Sequence, residues 1–154
     1  METHRKIKNS FSVIGKEGST GDGAGFVQRL WAAANGSFPE IQNLAKRDDR
    51  GCLVGIWGAM TDFCREFQPW QNQFSEGLYL AGVECREDAV PPEGWTKWDI
   101  PGFEYLTVRC ETATVFEDML CYLSQKNIPL AGAVQEYTDP ATGDNYMYFP
   151  IRKL

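Results

Sequence analysis

An α+β fold built from two strand-helix-strand-strand units is what this chain of 154 residues predicts. Three observations lead there. Short β-rich runs alternate with two stripes of apolar residues at helical spacing. A proline-containing linker, Arg86 to Gly94 with Pro91-Pro92 inside it, divides the chain near its middle. The order of elements before that linker recurs after it, although the residues do not. The whole chain, 1–154, reads as one domain with pseudo-repeat halves of about 1–88 and 89–154, forming a mainly antiparallel sheet with helices on one face and a ligand cleft between the halves.

In the first half, the basic segment Arg5-Lys6-Ile7-Lys8 reads as a frayed end, and Phe11-Ser12-Val13-Ile14-Gly15 as the first strand. Gly18 to Gly25 is glycine-rich, but its glycines do not meet the G-x-G-x-x-G pattern. Lys16 is followed by Glu17 rather than Ser or Thr, so a flexible strand-to-helix connection is preferred to a phosphate cradle. Phe26/Val27, Leu30/Trp31 and Ala33/Ala34 form an amphipathic helix ending near Asn35-Gly36. Ser37-Phe38-Pro39-Glu40 has capping-box spacing and predicts a second short helix carrying Ile41, Leu44 and Ala45. Strands follow at Leu53–Gly58 and Leu78–Cys85, separated by an aromatic-rich connection with Phe63, Phe67, Trp70 and Phe74 that Pro69 interrupts.

Past the linker, Trp95 to Ile100 is a short extended piece and Phe103–Val108 a strand. Thr114-Val115-Phe116-Glu117 has capping-box spacing and opens a helix ended by Asn127 and Pro129. Gly132–Tyr137 and Asn145–Ile151 are the last two strands, joined as a hairpin. Pro150 cannot donate to a ladder, so the final strand is expected to be an edge or to end there.

The composition excludes several function classes. A net charge of −6 with scattered basic residues does not provide the concentrated basic face of a nucleic-acid binder. No apolar run approaches the length needed to span a bilayer, and no signal peptide is read, so a cytoplasmic location is expected. Cys52, Cys64, Cys85, Cys110 and Cys121 are odd in number and lack C-x-x-C spacing. They are expected to be small buried hydrophobes rather than metal ligands or disulfides. The single histidine, His4, leaves no basis for zinc sites built on histidine pairs or for serine-histidine catalysis. Neither metal nor cofactor is called for, and chemistry here falls to carboxylates, Tyr, Lys or Cys.

Several segments, in order, resemble one family. Leu78-Tyr79-Leu80-Ala81-Gly82-Val83-Glu84, a proline-rich gap, and then Ile100-Pro101-Gly102-Phe103-Glu104-Tyr105 are similar to the Y-x-x-G-V and I-P-x-G-x-Y segments of GyrI-like proteins. These belong with the effector-binding domains of bacterial transcription activators. Leu30-Trp31 resembles the L-W of that family's first helix, and Glu136-Tyr137 with Tyr148-Phe149-Pro150-Ile151 resembles its ending. The resemblance covers nearly the whole chain. It implies the duplicated fold and an aromatic cleft holding a buried carboxylate, which selects planar or cationic lipophilic molecules. Because no helix-turn-helix precedes Phe11, a stand-alone form is expected rather than a complete regulator.

Glu136 is the first candidate anchor, with Glu84 and Glu104 as rivals, because a strand glutamate is ordinarily exposed and only its family position singles it out. Alternation puts Glu136 on one strand face with Val134, and Gln135 with Tyr137 on the other. The aromatic candidates are Trp31, Trp57, Phe67, Trp70, Tyr79, Tyr105 and Tyr148. Each alone would be ordinary core, but aromatic residues make up 13% of the chain, enough to line a cleft as well. A carboxylate among aromatic faces favours a cation, both by charge and by the ring quadrupoles. The leading function is therefore binding of lipophilic, cationic or planar small molecules. The alternative is a hydrolase in which Glu136 and Tyr137 activate water to open a strained cyclopropane-bearing toxin. Inhibition of a protein partner such as gyrase ranks last, and a homodimer stays open. Contact with nucleic acid or membrane is not expected.

Overall fold

In the computed structural model, which describes residues 1–154, eight strands form a single antiparallel sheet. The strands are β1 (Thr3–Lys8), β2 (Phe11–Ser19), β3 (Ile56–Thr61), β4 (Leu78–Cys85), β5 (Thr96–Ile100), β6 (Phe103–Arg109), β7 (Gln135–Thr138) and β8 (Asn145–Lys153). The helices are α1 (Phe26–Gly36), a single distorted turn α2 (Gln71–Phe74) and α3 (Val115–Gln125). The sheet order is β1-β6-β8-β7-β3-β4-β2-β5. The duplication is visible in it. The triplet β6-β8-β7 meets the triplet β2-β4-β3 at the β7–β3 junction, so β2 and β6 hold equivalent places, as do α1 and α3 after them. The two outer strands are exchanged. β1 precedes β2 but pairs with β6, whereas β5 precedes β6 but pairs with β2.

The pleat sorts the apolar residues onto two faces. Ile14, Tyr79, Ala81 and Val83 turn toward α1, and Leu106, Val108, Met147 and Phe149 turn toward Met119 and Leu123 of α3. Both long helices thus cover one face. On the other, Phe11, Val13, Trp57, Leu80, Trp98, Ile100, Tyr105 and Tyr148 form a separate core. The sheet curls around this core, because Lys8 at the end of β1 ion-pairs at 3.2 Å with Glu84 on β4.

Several sequence expectations need correction. The basic N-terminus is a paired strand rather than a frayed end, since its amides meet those of β6 from Thr3↔Val108 to Lys8↔Phe103. A first strand expected to end at Gly15 runs on to Ser19, and the strand expected at Leu53–Gly58 lies at Ile56–Thr61. Gly132–Tyr137 narrows to Gln135–Thr138. Ser37–Glu40 makes only a 3-10 turn, Phe38–Glu40, without a side-chain cap, and Ile41 and Ala45 are buried beside it as irregular chain. Thr114 caps no amide; its hydroxyl donates to Asp118 instead. Four of the five cysteines, Cys52, Cys64, Cys110 and Cys121, are exposed, and only Cys85 is the small buried hydrophobe expected of all. Pro150 lies within β8, yet β7 pairs only as far as Tyr148, so Pro150 sits at a local edge opposite a register shift at Glu104/Tyr105.

The aromatic connection before β4 forms a strap across the helix face. Asp62, itself buried, holds its start: one carboxylate oxygen accepts from Thr61 Oγ1 and from the Glu66 and Gln68 amides. Arg65 pairs bidentately with Glu17, and Trp70 Nε1 donates to the Leu78 carbonyl at 3.0 Å. Asn72, Gln73 and Phe74 all have positive φ, at 52°, 59° and 63°. Left-handed backbone costs an L-residue about 1–2 kcal/mol, so the strap is held in place by its side-chain anchors.

Candidate functional site

The β7–β3 junction lies at the middle of the sheet, between α1 and α3, and there the helix face is left open. β7 places Glu136 toward the helices, directly opposite Gly58 of β3. Gly58 has a steric reason. A Cβ at that position would lie 2.1 Å from the Tyr79 hydroxyl and 2.6 Å from Glu136 Oε1. The absent side chain is the space in which these two groups meet.

Three elements converge on that space. Alternation along β4 turns Tyr79 to the helix face with Ala81 and Val83, and α1 carries Trp31 over it. Trp31 Nε1 donates to the Tyr79 hydroxyl at 3.0 Å, and that hydroxyl donates to Glu136 Oε1 at 2.6 Å. Phe26 sets its ring edge-on to Tyr79. Burial pushes the Glu136 carboxyl above the ordinary carboxylate range, and the Tyr79 hydrogen bond partly offsets this. Tyr79 is pushed up in turn by burial and by the charge of Glu136, so it stays a donor.

Two cavities open on Glu136. The first, about 410 Å³, is bounded by Trp31 and Asn35 of α1, Ile56, Tyr79, and Thr138 and Asn145 at the rim. The second, about 350 Å³, is bounded by Met60, Pro69, Trp70 and Phe74 of the strap side and by Phe116, Val134 and Met147. Phe74 meets Phe116 edge-on at 5.3 Å, closing one wall. No basic residue lines either cavity, and Glu136 and Glu117 are their charged groups.

The sheet divides the sequence-derived candidates. Trp31, Trp70, Tyr79 and Glu136 come together on the helix face. Trp57, Phe67, Tyr105 and Tyr148 pack in the core of the opposite face, where Trp57 meets Tyr148 at 5.2 Å and Phe67 meets Trp98 at 6.1 Å. Tyr137 reaches the rim of the first cavity, but its ring lies against Trp57 at 4.8 Å. The tyrosine hydroxyl on Glu136 is that of Tyr79. Glu84 also belongs to the opposite face: it accepts from Trp57 Nε1 at 3.1 Å and pairs with Lys8, whose ammonium lies 4.4 Å from the Phe11 ring centroid. Glu104 sits at the sheet's end between Arg152 and Arg5. Gly58, Asn35, Phe116 and Met147 were not singled out in the sequence. Thr138 and Val134 could have been found by alternation from Glu136, whereas nothing in the sequence marks a glycine that makes room for a distant tyrosine.

No family model and no curated protein matches the chain. Solved structures do. SAV2435, whose structure holds tetraphenylphosphonium, superposes with a TM-score of 0.67 at 14% identity, covering 99% of this chain and 94% of that one. The C-terminal domain of EcmrR gives 0.61 at 10% identity, covering 99% and 98%. An integron cassette protein from Vibrio cholerae gives 0.55 at 15%, covering 97% and 95%. No helix of this chain is long and apolar enough to cross a membrane. At such low identity it is the fold that is shared, over nearly the full length of both chains: the chain has the GyrI-like fold.

Proposed function

We propose that the protein binds lipophilic cations in the helix-face cleft, with Glu136 as the charged anchor. One observation carries this reading: a half-buried carboxylate stands among Trp31, Tyr79 and Trp70 in a site lined by no basic residue. An ionised carboxylate there lacks a counter-ion, and a cation whose charge is spread over apolar groups supplies one without bringing a tight hydration shell. The aromatic walls add about 0.5–2 kcal/mol for each face the cation meets. Tetraphenylphosphonium, bound in SAV2435, is a ligand of this chemistry.

The test is titration of tryptophan fluorescence with tetraphenylphosphonium, which would enter beside Trp31 and Trp70. Saturable quenching is expected, and Glu136→Gln should weaken it by about 1.5–3 kcal/mol while leaving a neutral isostere unaffected. Equal weakening of both ligands would refute the charged anchor.

A second reading draws on the same 2.6 Å contact. A carboxylate with a raised proton affinity beside a phenol can position water and shuttle a proton, which suits opening of a strained cyclopropane. Addition of one water to such a compound, followed by mass with turnover beyond one equivalent, would establish it. Recovery of unchanged ligand would exclude it.

A further inference from the structure

The cleft floor is made by two antiparallel strands. On the helix face β3 presents Ile56, Gly58 and Met60, and β7 presents Thr138 and Glu136, with Val134 just before it in the chain; Ile56 lies opposite Thr138 and Gly58 opposite Glu136. Glu136 therefore stands at the midpoint of the floor and borders both cavities. The two ends differ in chemistry. The α1 end offers the side-chain amides of Asn35 and Asn145 and the Thr138 hydroxyl. Thr138 already donates to Asn145 Oδ1 at 2.7 Å, which leaves the Asn145 NH₂ group free to donate outward. The α3 end is a wall of Met60, Trp70, Phe74, Phe116 and Met147 without an uncharged polar side chain. Val134 and Thr138 are four residues apart, so the floor extends about 13 Å, longer than one benzyl ammonium group.

Resting on the reading of Glu136 as a cation anchor, we infer that the site takes an elongated cation with its charge at mid-length. One side of the charge carries an aromatic arm for the Phe116 end, and the other a hydrogen-bonding arm for the Asn35 end. A cation with a single apolar arm fills one cavity and leaves the other to water. A molecule with its charge at one extremity cannot place that charge on Glu136 and occupy both ends.

The experiment compares two probes by calorimetry. Benzyltrimethylammonium has the charge and one apolar arm; a benzyldimethylammonium bearing a butanamide arm adds the second. The two-armed probe should bind more tightly, and the Asn35→Ala/Asn145→Ala variant should weaken it by about tenfold and benzyltrimethylammonium by much less. These asparagines are exposed, so the variant keeps the fold. Phe116→Ala should weaken both probes. If the second arm confers no advantage, or the double variant weakens both probes equally, while Glu136→Gln still weakens both, the two-armed inference falls and the anchor stands. If Glu136→Gln leaves both affinities unchanged, the anchor falls and takes this inference with it.

Discussion

Tyr79 and Glu136, fifty-seven residues apart, meet through a 2.6 Å hydrogen bond in a space that exists because residue 58 has no side chain. Three strands thus build one polar contact. β4 brings the phenol, β7 brings the carboxylate, and β3 gives way between them.

Gly58→Ala is expected to break this arrangement. Its Cβ would fall within 2.1 Å of the Tyr79 hydroxyl and 2.6 Å of Glu136. Tyr79 is buried and its hydroxyl is held between Trp31 and Glu136, so it cannot easily move aside, and a loss of about 1–3 kcal/mol in denaturant unfolding should accompany loss of cation binding. Unchanged stability would show that the junction is looser than its geometry.

Glu136→Gln should stabilise the free protein at neutral pH. Burial raises the folded-state proton affinity of Glu136, so between the ordinary carboxylate pKa and the raised one the folded state binds more protons than the unfolded chain. Stability then falls as pH rises through that window. The glutamine variant escapes this penalty, and each kcal/mol recovered raises Tm by about 2–4 °C. Below the ordinary carboxylate range the advantage should vanish. Thermal melts across pH check both signs.

Cation affinity should follow the same ionisation in the opposite sense. As pH falls through the raised pKa, protonation discharges the anchor and a permanently charged ligand binds more weakly. Tyr79→Phe removes the hydrogen bond that holds the pKa down, so the midpoint of this loss should move to higher pH. It should also cost about 1–3 kcal/mol of stability, because Glu136 loses its hydrogen-bond donor. A midpoint unchanged by Tyr79→Phe would dissociate the phenol from the titration.

Glu84→Gln serves as a control across the sheet. It weakens the contacts with Lys8 and Trp57 and should cost about 1.5–3 kcal/mol in stability. Cation affinity should not change, since Glu84 faces the opposite core. A selective loss of binding would relocate the anchor.

The repeat of strand, helix and paired strands was legible in the sequence because hydrophobic period and turn residues are local properties. Which neighbours within one strand share a side was legible for the same reason: alternation put Glu136 with Val134, and Gln135 with Tyr137 on the other side. Sheet order was not. The exchange of β1 and β5 between the halves depends on which distant edges pair, and β1 is so polar that its own composition suggested an end without structure. The strap over the second cavity rests on Asp62, Arg65 and Trp70 finding partners elsewhere in the chain, and these anchors hold backbone that local propensity disfavours. Composition established that aromatic residues and carboxylates were present in plenty. Only the tertiary structure decided which carboxylate faces which aromatics, because Glu84 and Glu136 differ by the side of one sheet.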